Sequence, residues 1–201
     1  MKILHLDSGL FVEQSVTRKL SAQLVKRLQQ NDDTAELVYR DLVAQPPAHL
    51  TAEILMAAGK QESERSDFEQ QQVKLTETFL DELFAADTLV ISAPMYNFTI
   101  PSQLKAWIDR VAQAGKTFRY TESGAEGLVT GKTAYIVSSR GGIYSSGAAA
   151  AMEHQESYLT SVLAFIGITD VKIVRAEGVN LGDEPKAQAI AAAEAEIKQL
   201  A

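Results

Sequence analysis

The chain has 201 residues, contains no cysteine and carries a formal net charge of −7 at pH 7. The missing cysteines exclude a disulfide, a thiolate metal site, an iron–sulfur cluster and a thiol nucleophile. An acidic chain is a poor general binder of nucleic acid or anionic membrane, so neither partner is expected. The hydrophobic fraction of 46% and charged fraction of 22% are ordinary for a globular protein, and we predict one domain over residues 1–201.

The amino terminus becomes polar too soon for a signal peptide, and the apolar runs fall short of the roughly 18 residues of a membrane span. We therefore expect a cytoplasmic protein. The three histidines, His5, His49 and His154, stand far apart in the sequence, so no metal site is expected. We interpret His5 as a packed residue and His154 as a satisfied polar side chain, rather than as catalytic groups.

Short apolar runs alternate with helical patterns along the chain. The predicted strands cover residues 2–6, 35–39, 88–93, 133–137 and 171–174. The predicted helices start at Ser15, follow Pro46-Pro47 as far as Leu83, start at Pro101, and cover residues 148–165 and 185–200. The stretch between residues 117 and 130 is predicted to be irregular. Because strands alternate with helices, the pattern indicates right-handed βαβ units and a parallel sheet.

Unusual segments follow three of these strands, and such segments are informative because open parallel sheets bind ligands outside the carboxyl ends of their strands. The segments are Ser8-Gly9 with Ser15-Val16-Thr17 after the first strand, Pro94-Met95-Tyr96-Asn97-Phe98 after the third, and Ser139-Arg140-Gly141-Gly142 after the fourth. Their recurrence predicts one binding site at this edge of the sheet.

Each segment favours a different part of a ligand, although each also has a plainer explanation. Hydroxyls at the start of a helix suit a phosphate, because the free amides and the helix dipole attract negative charge. Alternatively, Ser15 and Thr17 only cap the helix. Rings at a strand end suit stacking on a flat ligand, unless Tyr96 and Phe98 complete the core. Paired glycines let backbone amides approach a ligand, or form an ordinary turn.

Together, the three segments resemble the flavodoxin-like family of FMN-dependent, NAD(P)H-using azoreductases and quinone oxidoreductases. The resemblance extends along nearly the whole chain and is densest at residues 93–98, 101–109, 117–121, 126–132, 139–142 and 165–170. It implies a three-layer α/β fold, with a five-stranded parallel sheet in the order 2-1-3-4-5 and helices on both faces. It also implies a homodimer with each FMN close to the subunit interface.

The same resemblance implies a role for each segment. The residues that would hold the FMN phosphate are Ser8, Gly9, Ser15, Val16 and Thr17. Those that would line the isoalloxazine ring are Met95, Tyr96, Asn97 and Phe98, and those near its pyrimidine edge are Ser139, Arg140, Gly141 and Gly142. The substrate space over the flavin would be bounded by Tyr120 and Phe165, with protons supplied by solvent or Tyr120.

The chain departs from the family pattern within the phosphate segment. The family often has serine where Gly9 stands, a polar residue at Val16 and serine at Thr17. Thr17 keeps the hydroxyl, whereas Gly9 and Val16 can still donate through their backbone amides. We therefore expect the FMN site to survive with an altered affinity.

The implied activity is two-electron hydride transfer from NADH or NADPH to quinones and aromatic azo compounds in a ping-pong cycle. A chain without cysteine and with few histidines can perform redox chemistry only with a bound cofactor, which agrees with FMN. One alternative is an electron-transfer flavodoxin that serves protein partners, although Arg140 and the Met-Tyr-Asn-Phe segment argue against it. Another is a regulatory module that has lost FMN. The choice between NADH and NADPH and the physiological acceptor stay open.

Overall fold

The computed structural model describes residues 1–200. The strands are β1 (Lys2–Asp7), β2 (Glu36–Asp41), β3 (Thr88–Pro94), β4 (Phe118–Thr121), β5 (Gly124–Gly127), β6 (Thr133–Arg140) and β7 (Asp170–Glu177). The α-helices are α1 (Val16–Asn31), α2 (Ala52–Ala57), α3 (Asp67–Ala85), α4 (Ser102–Val111), α5 (Glu156–Ile166) and α6 (Asp183–Gln199). Within this range, no helix is both long and apolar enough to cross a membrane.

A parallel sheet of five strands forms the centre, in the order β2-β1-β3-β6-β7. Strands β4 and β5 pair separately as an antiparallel hairpin. When the hairpin is left out of the numbering, the sheet has the predicted order 2-1-3-4-5, so the predicted fold is confirmed.

Both faces of the sheet are covered, because successive side chains of a strand point to opposite faces. Leu89 and Ile91 of β3 join a cluster with α3, α4 and α5, whereas Val90 joins a second cluster with α1 and α6. All seven residues of β3 are buried, which explains its nearly continuous apolar sequence. The fold therefore has three layers, with the sheet between two layers of helices.

The sheet places the three predicted segments at one edge. Chain order reverses between β1 and β3, which opens a crevice at the carboxyl ends of these strands. The register pairs Asp7 with Ser92 and Pro94 with Ser139, so the loops after β1, β3 and β6 leave the sheet close together.

The region between residues 117 and 130 is not irregular, as the sequence indicated, but contains the hairpin of β4 and β5. Strand β5 has the sequence Gly-Ala-Glu-Gly and offers no β-branched or aromatic residue as a strand signal. It packs so tightly that a side chain at Gly127 would collide with the backbone of Ile166 and Gly167. Tertiary contact therefore determines this hairpin.

Two predicted helices are each divided. The polar stretch that ends near Leu83 forms α2 and α3, because Ser66 starts α3 with a capping box to Glu69. The predicted helix over residues 148–165 becomes a 3₁₀ turn over 148–152 followed by α5. The Glu153 carboxylate starts α5, since it accepts hydrogen bonds from the amides of residues 155–157 at 2.6–3.1 Å.

Candidate functional site

The loop after β1 and the start of α1 form a cradle of small donors. Ser15 caps α1 by accepting a hydrogen bond from the Arg18 amide at 3.4 Å, and its Oγ lies 3.0 Å from Thr17 Oγ1. A side chain at Gly9 would collide with Ser15 Oγ, so the glycine lets this hydroxyl lie against the loop backbone. The amides of Val16 and Thr17 precede the intrahelical hydrogen bonds of α1 and are free to bind an anion.

Ser8 differs from the other residues predicted around the phosphate. Its side chain is buried, and its hydroxyl donates to the Ser92 carbonyl of β3 at 2.6 Å. The hydroxyl therefore ties the start of the loop to the sheet, and its proton is already donated to β3. This distinction depends on a strand 84 residues away and has no local sequence signal.

Hydrogen bonds join the three loops into one site. The Leu10 amide of the first loop donates to Tyr96 Oη at 3.0 Å. The Met95 amide of the second loop donates to the Ser139 carbonyl of the third at 2.8 Å. The predicted residues of these three segments are therefore brought together at one edge of the sheet.

The second loop is a tight turn with an unusual backbone. Tyr96 and Thr99 exchange backbone hydrogen bonds of 2.9 and 3.2 Å, and the two residues between them have positive φ, +49° at Asn97 and +72° at Phe98. This is the pattern of a type I′ turn, in which asparagine is tolerated and phenylalanine is strained. Such strain is concentrated at functional sites. The turn displays both side chains to solvent, where they are accessible to a ligand.

His154 supports this turn through its backbone. Its amide donates to the Phe98 carbonyl at 2.9 Å, and its carbonyl accepts a hydrogen bond from Thr99 Oγ1 at 2.9 Å. The sequence could not indicate this role, because backbone groups carry no residue signature.

Arg140, which was predicted at the pyrimidine edge of FMN, has its side chain directed into the protein. The guanidinium is 1% exposed and lies 3.1, 2.9 and 3.6 Å from carboxylate oxygens of Glu153, Glu156 and Glu177. Nε also donates to Gln155 at 3.0 Å. Its charge is thus neutralised inside the protein, where it holds the third loop against α5, and the loop offers a ligand its backbone.

The acidic partners of Arg140 hold the third loop in place, and the sequence did not reveal them. Burial acts to raise the pKa of Glu153, but hydrogen bonds from the amides of residues 155–157 outweigh it and hold the pKa below its usual range. Glu177 accepts hydrogen bonds from the Tyr144 and Ser145 amides at 2.9 and 3.1 Å, which fixes the chain beyond Gly142.

The glycines of the third loop keep its backbone close to neighbouring groups. A Cβ at Gly141 would lie 2.7 Å from Nδ2 of Asn180, and a Cβ at Gly142 would lie 3.3 Å from the Tyr144 ring. Asn180 therefore covers this loop, which the sequence pattern did not indicate. The glycines leave room for these neighbours as well as for a ligand.

Tyr120 and Phe165 lie together, but away from the three loops. Phe118 links them, with ring centroids 5.5 Å from Tyr120 and 4.5 Å from Phe165. Phe165 is at the end of α5, which leads to the amino end of β7, so this aromatic group lies at the opposite edge of the sheet. One chain alone does not combine it with the candidate site.

A cavity of about 800 Å³ adjoins the second loop. Its lining combines apolar side chains with a few polar groups, which suits an aromatic ligand. The lining includes Leu10, Phe11, Met95, Tyr96, Asn97 and Lys105.

Comparison with known proteins identifies the family of the chain. The sequence model of a family described as "flavodoxin-like fold" matches residues 1–201. The chain is 58% identical over 200 residues to FMN-dependent NADH:quinone oxidoreductase 1 of Idiomarina loihiensis, with 100% of each covered. It is 52% identical over 203 residues to the FMN-dependent NADH:quinone oxidoreductase of Azospirillum brasilense, with 100% of this chain and 98% of the relative covered.

Two solved structures share the fold along the whole chain. Azoreductase from Bacillus anthracis str. Sterne has a TM-score of 0.90 at 28% identity, covering 100% of this chain and 98% of that one. The FMN-dependent NADH-azoreductase from Bacillus anthracis str. Ames Ancestor, in complex with FMN, has a TM-score of 0.87 at 28% identity, covering 100% and 99%. The chain therefore belongs to the flavodoxin-like family of FMN-dependent NADH:quinone oxidoreductases and azoreductases.

Proposed function

We propose that this protein is an FMN-dependent oxidoreductase that uses NADH to reduce quinones and aromatic azo compounds. The observation that carries the proposal is that three strand-end loops meet in one site. The chain is also more than half identical to relatives named FMN-dependent NADH:quinone oxidoreductase. Bound FMN supplies the hydride chemistry, which no protein side chain performs.

The cradle on α1 fits the phosphate of FMN. It offers the hydroxyls of Ser15 and Thr17, the free amides of the first helical turn and the positive end of the helix dipole. These donors are neutral, so an acidic chain can hold a phosphate there without a cationic side chain in contact with it. Gly9 keeps the cradle open, because any larger side chain would compete with the Ser15 hydroxyl for space.

The second and third loops fit the ring system. The Tyr96–Phe98 turn exposes an amide and an aromatic side chain at the crevice, where they can orient a flat ring and exclude water from it. Fixed backbone amides at the loop that starts with Ser139 can stabilise negative charge on the reduced ring without reorganisation. The Arg140–carboxylate cluster holds those amides in place.

We also propose that the working unit is a homodimer. By resemblance, Tyr120 and Phe165 belong over the flavin, yet they lie at the opposite edge of the sheet in their own chain. A second chain would supply this aromatic group and complete the pocket. Tyr120 is 75% exposed, as expected of a residue that would contact a ligand and a second chain. Sedimentation equilibrium measures this assembly directly, and a monomer at all concentrations would contradict it.

Stopped-flow absorbance of the flavin-loaded protein tests the activity. Rapid bleaching of the flavin by NADH, followed by rapid reoxidation with benzoquinone, is the expected result. The same measurement with NADPH determines which nicotinamide is preferred. A flavin that NADH does not reduce at a useful rate would contradict the oxidoreductase and favour the electron-transfer flavodoxin, and failure to bind FMN would favour a regulatory module.

A further inference from the structure

A buried polar network lies directly behind the phosphate cradle, and Arg18 is its centre. The Arg18 side chain is 9% exposed in the first turn of α1. Its Nε donates to the Gly9 carbonyl at 2.9 Å, while its own backbone amide donates to Ser15 Oγ at 3.4 Å. Arg18 is therefore bonded to both parts of the cradle, although the sequence patterns did not single it out.

The bond to Gly9 fixes the orientation of the peptide group between Gly9 and Leu10. A trans peptide points its carbonyl and its amide in opposite directions. Here the carbonyl accepts from Arg18, and the amide donates to Tyr96 Oη at 3.0 Å. Glycine is conformationally permissive, so without Arg18 this peptide could rotate and turn its negative oxygen toward the cradle.

The positive charge of Arg18 is neutralised inside the protein. Nη1 and Nη2 donate to the two carboxylate oxygens of Asp41 at 2.7 and 2.8 Å, and Nη1 also lies 3.7 Å from Asp7. The Arg18 guanidinium holds the pKa of Asp41 at about 2, below its ordinary value of 3.8. Arg18 thus forms a closed ion pair and is not a free cation for the phosphate.

The remaining members of the network keep this ion pair rigid. Tyr39 Oη donates to Asp7 at 2.8 Å, and His5 Nε2 lies 3.6 Å from the same carboxylate. Burial acts to raise the pKa of Asp7, but its contacts with His5 and Tyr39 outweigh burial and keep the group ionised. The partners of Arg18 therefore retain their charge in neutral solution.

We propose that Arg18 is a positioning residue for FMN, which holds the Gly9–Leu10 peptide so that the cradle presents donors and no carbonyl oxygen to the phosphate. The inference rests on the proposed function, since it assumes that FMN is the ligand. Arg18 would therefore affect recognition of the phosphate, and it would not contact the flavin ring.

Riboflavin provides the decisive comparison, because it has the same ring system as FMN and lacks the phosphate. Dissociation constants for FMN and riboflavin are measured by quenching of flavin fluorescence with the full-length apoprotein and with an Arg18→Met variant. We expect the variant to lose at least about tenfold in FMN affinity and less than about twofold in riboflavin affinity, because a charge-assisted hydrogen bond network is removed only at the phosphate end.

An Arg27→Met variant is the matched control, since Arg27 lies about 2.5 turns further along the same helix. Its two affinities should equal those of the wild type. The double variant Arg18→Met with Asp41→Asn also removes the charge of Asp41, the carboxylate that Arg18 binds with two hydrogen bonds. We therefore expect it to be more stable than the single variant, and it serves if the single variant does not fold. It should show the same selective loss of FMN affinity.

Equal losses for FMN and riboflavin would show that Arg18 only maintains the fold, and unchanged FMN affinity would show that it does not position the cradle. Either result would overturn the inference about Arg18. The proposed cofactor would still stand, because the wild-type protein would still bind FMN. A wild-type chain that binds neither flavin would instead overturn the proposed function, and the inference with it.

Discussion

Two buried arginines, Arg18 and Arg110, lie on opposite sides of the sheet in contrasting environments. Arg18 has carboxylate or carbonyl acceptors for Nε, Nη1 and Nη2. Arg110 of α4 is 1% exposed and donates from Nη2 to Gln72, but its Nε and Nη1 have no acceptor among residues 1–200. Burial lowers the pKa of Arg110, whereas the bond to Asp41 raises the pKa of Arg18.

The contrast shows that burial alone does not define the role of a charge. Removing two charges from water costs several kcal/mol per ion, and only well-placed partners offset this cost. Arg18 meets that condition, and its bond to the Gly9 carbonyl also fixes the loop after β1. Arg110 has an acceptor for Nη2 alone, so we expect its burial to be a net cost to the isolated chain.

The largest expected effect is on stability when Arg18 is replaced. Arg18→Met leaves the Asp41 and Asp7 carboxylates without their cation, so we expect the free energy of unfolding to fall by about 3 kcal/mol. Urea denaturation measures it, with Arg27→Met as the control for the loss of an arginine from α1. A decrease below about 1 kcal/mol would mean that the network contributes little and that the comparison with Arg110 is unsound.

The pH dependence of stability tests the Arg18 ion pair separately, because its partner Asp41 titrates in acid. Its folded pKa of about 2 is below its ordinary value of 3.8, so its charged form stabilises the fold above that value. This contribution, about 2 kcal/mol, is lost as the pH falls toward the folded pKa. Urea denaturation between about pH 5 and pH 2 should show a steeper loss for the wild type than for Asp41→Asn. Identical slopes would contradict the ion pair.

The fold and the edge that carries the site could be predicted from the sequence because their signals are local. The apolar run of β3, the turn after it and the alternation with helices each lie within a few residues. Arg18 could also have been found, since it lies seven residues before Val25 on the buried face of α1, where a charge requires a partner.

What the sequence could not indicate depends on contacts between distant residues. Arg140 turns inward because three carboxylates surround it. Glu153 precedes α5, Glu156 begins α5 and Glu177 ends β7. Tyr120 was assigned to the site by resemblance, which relates residues to a ligand but not to a particular copy of the chain. The hairpin of β4 and β5 likewise depends on tertiary packing.

A smaller effect is expected at the Asn97-Phe98 turn, where the strain lies in the backbone dihedral angles. Glycine adopts a φ of +72° without strain, whereas phenylalanine does not. Phe98→Gly should therefore raise the free energy of unfolding by about 1 kcal/mol. Flavin turnover should fall, because the ring is lost. Asn97→Gly is the control and should gain less, since asparagine already tolerates this backbone. Equal stability of Phe98→Gly and the wild type would exclude strain at this turn.

The smallest expected effect is at Arg110. Arg110→Leu removes a guanidinium that has two unpaired N–H groups and substitutes an apolar side chain at a buried position. We expect the free energy of unfolding either to increase or to decrease by less than about 1 kcal/mol. Arg110→Lys keeps a buried charge without partners and should give no increase. A loss of about 3 kcal/mol in Arg110→Leu would indicate that Nε and Nη1 have an acceptor beyond residues 1–200. If that loss appeared only at protein concentrations where the chain dimerises, the acceptor would belong to a second copy, and Arg110 would be paired after all.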